Sequence, residues 1–193
     1  MIEQALIRSH CSTRQRLTVK ALLSCGIVAL AVILPQIAHL VAGPRAGLTL
    51  LPMYLPVLLG GCLLGPRFGL AVGLLSPAVS CLLTSWAGSP MPAPARLPFM
   101  MAELALFAGI SGLFAARMER HPLLAFPAVL AAAVGGRASF LLLAFLFETV
   151  APFTAATVWS QIVQGLPGLW LQLVLVPLMV IGIHALLHRE RRS

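Results

Sequence analysis

Six continuous apolar runs dominate this chain, most of them about 17–25 residues long, the length a helix needs to cross a bilayer. Runs of that kind have no polar face to turn toward water, so their solvent is lipid. In lipid every backbone N–H and C=O must find its partner within a helix or a closed barrel. A barrel strand reads as about ten residues alternating apolar and polar, and no such alternation is present. Composition agrees: 60% of the residues are hydrophobic and 9% are charged, against about a quarter charged in a soluble domain. The expected fold is therefore an all-α integral membrane protein with six transmembrane helices. They are expected at about residues 17–40, 48–64, 68–86, 99–116, 123–147 and 158–187. No shift in composition divides residues 1–193, so a single membrane domain is expected.

The formal net charge of +8 would suit a nucleic-acid binder if the basic residues formed a stripe interleaved with aromatics. Instead they sit at the ends of the apolar runs, so no nucleic-acid partner is expected. With the N-terminus inside, Arg8, Arg14, Arg16, Lys20, Arg67, Arg117, Arg120, Arg189, Arg191 and Arg192 fall on the inner side. Only Arg45 and Arg96 fall outside, and Arg137 lies within segment five. The positive-inside rule then places both termini in the cytoplasm. Met1 to Lys20 is polar and basic and lacks the small-residue cleavage site of a signal peptide. Cys11, Cys25, Cys62 and Cys81 have no C-x-x-C spacing, and three of them lie in apolar runs, where they read as small packing residues.

Segment two departs from a regular span. Pro52 and Pro56 each remove a backbone donor, and Gly60 and Gly61 follow, so this helix is expected to be short, kinked or partly unwound. Such backbone is tolerated at membrane depth only where protein buries it or a cavity lies beside it. Segment six repeats the theme with Pro167 and Pro177. The loop from Ala87 to Pro98 carries Pro90, Pro92, Pro94 and Pro98, which make it stiff: either a lid edge over an outward cavity or an ordinary connector.

An ionisable side chain inside a membrane usually faces a cavity or a partner, and few are present. Glu103, about one turn into segment four, is a polar anchor for a solute or a partner of the helix dipole. Arg137 follows Gly135 and Gly136 and needs an acceptor, either a ligand or a structural bridge to Glu103 or to a freed carbonyl. His39 reads as lining an entrance or as an ordinary interfacial histidine, and Trp86, Trp159 and Trp170 as interfacial indoles. Trp159, with Gln161 and Gln164 nearby, also suits stacking on and hydrogen bonding to a ligand. His184 and His188 are four apart without a third ligand, so no metal site is expected. Ala21, Cys25 and Ala29 form a small-residue stripe on segment one, where another helix can approach closely. There is no H-E-x-x-H, G-x-S-x-G or Walker A motif and no carboxylate pair placed for acid–base work, so no enzyme is expected. ATP-driven work would need a separate ATPase.

From Leu51 to Thr84 the chain reads LPMYLPVLLGGCLLGPRFGLAVGLLSPAVSCLLT, followed by PFMMAELALFAGISGLF and GGRASFLLL. This resembles the substrate-binding S component of energy-coupling factor (ECF) vitamin transporters over segments one to five. The most specific piece is LPMYLPVLLGG…LGPRFG…GLLSP, joined to Pro98, Met100, Glu103 and Leu104 at the start of segment four. The resemblance implies capture of a vitamin-like small molecule near the outer face of a prokaryotic cytoplasmic membrane, under the loops between segments one and two and between three and four. It implies docking on a transmembrane coupling subunit that carries two cytoplasmic ATPases, through Ala21, Cys25 and Ala29, and it implies no cofactor. By position the substrate-binding candidates are Tyr54, Glu103, Arg137 and Trp159, then His39 and Trp86. Pantothenate would suit a buried Arg, an amine or a ring N–H as in pyridoxine-type compounds would suit Glu103, and cobalamin-type cargo would need a larger cavity. If Arg137 and Glu103 pair with each other, neither charge by itself names the solute. A solitary carrier or channel is the alternative, but segments one to three do not resemble four to six as an inverted repeat would require.

Overall fold

A computed structural model describes residues 12–43, 49–147 and 154–189. Arg8, Cys11, Arg45, Glu148, Arg191 and Arg192 lie outside the described residues. The described chain is helical, with α1 at Thr13–Ala42, α2 at Tyr54–Leu64 and α3 at Pro66–Trp86. After these come α4 at Leu97–Leu113, α5 at Ala125–Leu146 and α6 at Ala155–Arg189. Five helices among the described residues are long and apolar enough to cross a membrane, α2 being the exception. This makes the chain a multi-pass membrane protein.

The second apolar segment yields only the 11 residues of α2, about 16 Å of helix against a hydrocarbon core of about 30 Å. Ahead of it the backbone leaves the helix at Leu51, whose φ of +49° lies in the left-handed region. Pro52 and Met53 turn the chain, and Tyr54 N–H donates to Leu51 O at 3.0 Å. The helix ends as sharply: Gly65 adopts φ +89°, a conformation open to glycine, and Pro66 begins α3 with its fixed φ.

A helix apolar on every side belongs inside a protein. Every residue of α2 except Leu55 is buried, and Val57, Leu58 and Cys62 are wholly inaccessible. Around it stand α1, α3, α4 and α6. The outer helices do the opposite: α1 buries only Val28, Ala31 and Val32 and exposes Leu22, Ile33, Leu40 and Val41. An exposed apolar face of that kind is what lipid requires.

Helices α3 and α4 approach closely at Gly73. A Cβ at Gly73 would meet the Leu104 carbonyl oxygen, and it would lie 2.6 Å from Ala105 Cα. Backbone atoms cannot yield as a side-chain tip can, so Gly73→Val should lower stability by about 1–3 kcal/mol, the scale of overpacking. The same measurement, unfolding in detergent, should show Gly26→Ala unchanged or slightly stabilised, because a Cβ there meets nothing within 4 Å.

Candidate functional site

Three helices deliver one side chain each to a common point. Tyr54 opens α2, Glu103 stands in the first half of α4, and Arg137 stands midway along α5. Tyr54 Oη donates to Glu103 Oε2 at 2.7 Å, and Arg137 Nη1 donates to Glu103 Oε1 at 2.7 Å. All three are buried, with Glu103 only 1% exposed and Arg137 only 8%. Of the two weighed readings of Arg137, the bridge to Glu103 is formed.

Local packing sets this geometry. Gly136 has no side chain where the Phe107 ring lies, so α5 comes close to α4 one residue before Arg137. Phe107 then meets the Tyr54 ring edge-on, with centroids 5.1 Å apart. The Arg137 guanidinium carbon lies 5.1 Å from the Tyr54 centroid and 6.0 Å from that of Phe107. A desolvated cation gains attraction from such ring faces. Even so, Arg137 Nε and Nη2 are buried without a hydrogen-bond partner among the described residues.

Above this network lies a cavity of about 380 Å³, lined among others by Pro35, Gln36, His39, Leu51, Tyr54, Met100, Glu103, Arg137 and Phe140. Met91, Pro92, Ala93 and Arg96, from the Pro-rich connection between α3 and α4, also line it. That connection is strapped to α3: Met91 N–H donates to Thr84 Oγ1 at 2.7 Å, and Ser80 Oγ donates to Met91 O at 2.8 Å. It also comes close to α6, where the Gln161 side-chain amide lies 3.2–3.3 Å from Arg96 Nη1 and Nη2 and, turned so that its oxygen faces them, would accept from both. On another side Arg137 borders an apolar crevice of about 270 Å³ between α5 and α6, lined by Leu130, Val134, Leu166 and Trp170 among others.

Of the residues singled out from sequence, Tyr54, Glu103, Arg137 and His39 line the cavity together. Trp86 and Trp159 stand outside it, 84% and 59% exposed. Gln164 is exposed too, whereas Gln161 faces the cavity. Ala21, Cys25 and Ala29 are exposed along α1. His184 Nε2 contacts Glu119 O at 3.1 Å.

Gln36, Arg96 as a lining group, and Gln172 were not anticipated. Gln172, on α6 and 1% exposed, donates from Nε2 to Leu51 O at 2.9 Å and sits 3.5 Å from Leu50 O. It thereby holds the non-helical stretch that forms one wall of the cavity. Gly168, one turn earlier, lets α6 approach the same stretch, since a Cβ there would lie 2.7 Å from the Leu50 carbonyl carbon. The signal that would have found Gln172 was present: a carboxamide inside an apolar run needs a partner for the reason a charge does.

The site thus combines a short buried helix behind a non-helical stretch, a buried ion pair and a cavity bordered by the Pro-rich connection. The family described as ECF transporter, substrate-specific component, matches residues 15–180. The chain belongs to this family. Membership implies a small-molecule substrate and coupling to a membrane subunit and ATPases, so this S component is a substrate-binding part of a transporter. No curated protein and no solved structure matches the chain.

The ion pair gives the S component a measurable signature. Removing one partner of a buried pair strands the other and costs about 3–5 kcal/mol. Glu103→Ala and Arg137→Ala should each lose stability on that scale, and the double variant should lose less than the two together. SDS-induced unfolding in detergent measures all three; strict additivity would mean that the two residues do not interact.

Proposed function

We propose that this S component captures a vitamin or vitamin-like small molecule for an ECF-type importer, in the cavity above Tyr54, Glu103 and Arg137. The observation that carries this reading is the coincidence of that cavity with the chain's buried ion network and with the strapped Pro-rich loop. A volume of about 380 Å³ falls at the small end of the range for ligand sites, about 300–1,000 Å³. It suits a pantothenate-sized or pyridoxine-sized solute; a cobalamin-type molecule exceeds it. Because Glu103 and Arg137 pair, neither acts as a lone charge toward the solute, and His39, Gln36, Arg96 and Gln161 supply the remaining polar contacts.

In this reading the protein lies in a prokaryotic cytoplasmic membrane with both termini inside, as the basic residues favour. The sixth crossing is made by α2 with the irregular backbone ahead of it. The cavity end faces outward and receives the solute. The exposed small residues Ala21, Cys25 and Ala29 on α1 dock against a coupling subunit, which carries two ATPases. Trp86 and Trp159 serve at the membrane interface rather than as first contacts for the solute.

Thermal unfolding of the purified chain against a panel of vitamins and their precursors tests capture. A true solute should raise apparent stability by about 2.7 kcal/mol at a hundredfold excess over its Kd, selectively among the panel. A well-folded protein indifferent to the whole panel would remove the vitamin-binding reading.

Docking is separable from capture. Ala29→Trp fills the exposed stripe without touching the cavity, so solute binding should persist. Uptake in cells that supply the coupling subunit and ATPases should be abolished. Uptake at the wild-type rate would remove the stripe from the docking surface.

A further inference from the structure

Gly165, Gly168 and Gln172 follow one another along α6 at spacings of three and four, which put them on one face of the helix. All three are buried, and all three meet the chain just ahead of α2. Gly168 lies against the Leu50 backbone, and Gln172 Nε2 donates to Leu51 O. Gly165 meets a side chain instead: a Cβ there would come within 2.9 Å of Leu51 Cδ1 and 3.5 Å of Leu51 Cγ. Leu51 lines the cavity and Gly165 does not. The Leu51 side chain therefore stands between this part of α6 and the cavity.

The two ends of Leu51 differ in freedom. Its backbone is fixed at φ +49°, and its carbonyl accepts from Tyr54 N–H at 3.0 Å and from Gln172 Nε2 at 2.9 Å. Gly168 closes off retreat toward α6, since even a Cβ there would lie 2.7 Å from the Leu50 carbonyl carbon. The isobutyl group has no such ties and can change rotamer about its two side-chain bonds. What lies behind it decides where it stands, and behind it is the bare Cα of Gly165. Tyr54 and Glu103 in the same lining lack this latitude, because their polar atoms are locked together at 2.7 Å.

We propose that Leu51 is a specificity-determining residue that gauges the size of the solute, and that Gly165 is the positioning residue that keeps its side chain back against α6. This rests on the capture reading above and names what that same site discriminates. Gly165→Ala pushes the isobutyl group off α6 and narrows the cavity. The cost in stability is small, because the atom that must give way is the tip of a flexible side chain. Leu51→Ala removes the group and widens the cavity. An apolar wall discriminates by fit, and one methylene more or less changes selectivity by about 10–200-fold.

The test uses the full chain purified in detergent, melted without solute and then titrated with nicotinamide, pyridoxine, pantothenate and biotin. The compound that the wild type binds most tightly is then compared by calorimetry with homologues carrying one extra carbon at either end. Gly165→Ala should melt near the wild-type temperature yet bind the parent compound at least about tenfold more weakly. Leu51→Ala should shift preference toward a homologue by at least about tenfold, and adding it to Gly165→Ala should restore the parent compound. Should Gly165→Ala fail to fold, the preference of Leu51→Ala among the homologues decides. An unchanged preference in well-folded variants, or a loss equal for parent and homologues, would overturn the size gauge and leave capture standing. A well-folded wild type indifferent to all four compounds would count against capture, and the gauge would fall with it.

Discussion

Taking a carboxylate and a guanidinium out of water costs several kcal/mol per ion, and only close pairing with further hydrogen bonds offsets it. Glu103 and Arg137 meet that condition at 2.7 Å, with the Tyr54 hydroxyl on the second carboxylate oxygen and two aromatic rings against the guanidinium. Because the three residues come from α2, α4 and α5, the requirement to pair them fixes how those helices sit. Gly136 must be small so that Phe107 can lie against α5, and α2 must begin where Tyr54 reaches Glu103. The network is thus both the joint of the bundle and the floor of its cavity.

The second constraint concerns α2. A helix of this length cannot span a bilayer by itself, and the backbone ahead of it has polar groups that lipid will not satisfy. The protein meets this by burying the stretch against α6, where Gln172 supplies donors and Gly168 supplies room. Leu51 sits in the left-handed region, at a cost of about 1–2 kcal/mol for a side chain with a Cβ. Strain of this sort persists where the surroundings over-determine it, and here it turns the Leu51 side chain and the following Pro52–Met53 turn into the cavity wall. Irregular backbone, buried carboxamide and cavity are one arrangement seen from three sides.

Much of this was legible in the sequence because lipid leaves few options. Long apolar runs dictate helices, Pro52 and Pro56 announce the defect in segment two, and ionisable residues are so rare in such runs that Glu103 and Arg137 identify themselves. Their pairing was one of two readings, since sequence gives the depth of a residue along its helix but not the rotation that turns two side chains together. Trp86 and Trp159 show the opposite limit. An indole near a helix end suits the interface and a ligand equally, and only packing reveals that neither lines the cavity. Gln172 was missed for a different reason: a neutral amide does not stand out as a charge does, although burial imposes the same need for partners. Arg96 was counted as a loop charge because its role depends on how a Pro-rich connection folds back over the bundle.

Proposed capture of the solute in the cavity above the Tyr54, Glu103 and Arg137 network can be tested directly. An experimental structure of the purified protein with the most strongly stabilising solute tests it directly. Solute density is expected between the Met91–Arg96 loop and α2, in the cavity lined by Tyr54, Glu103 and His39. Solute bound in the crevice between α5 and α6 or on the outer surface, with the cavity vacant and the network undisturbed, would contradict it.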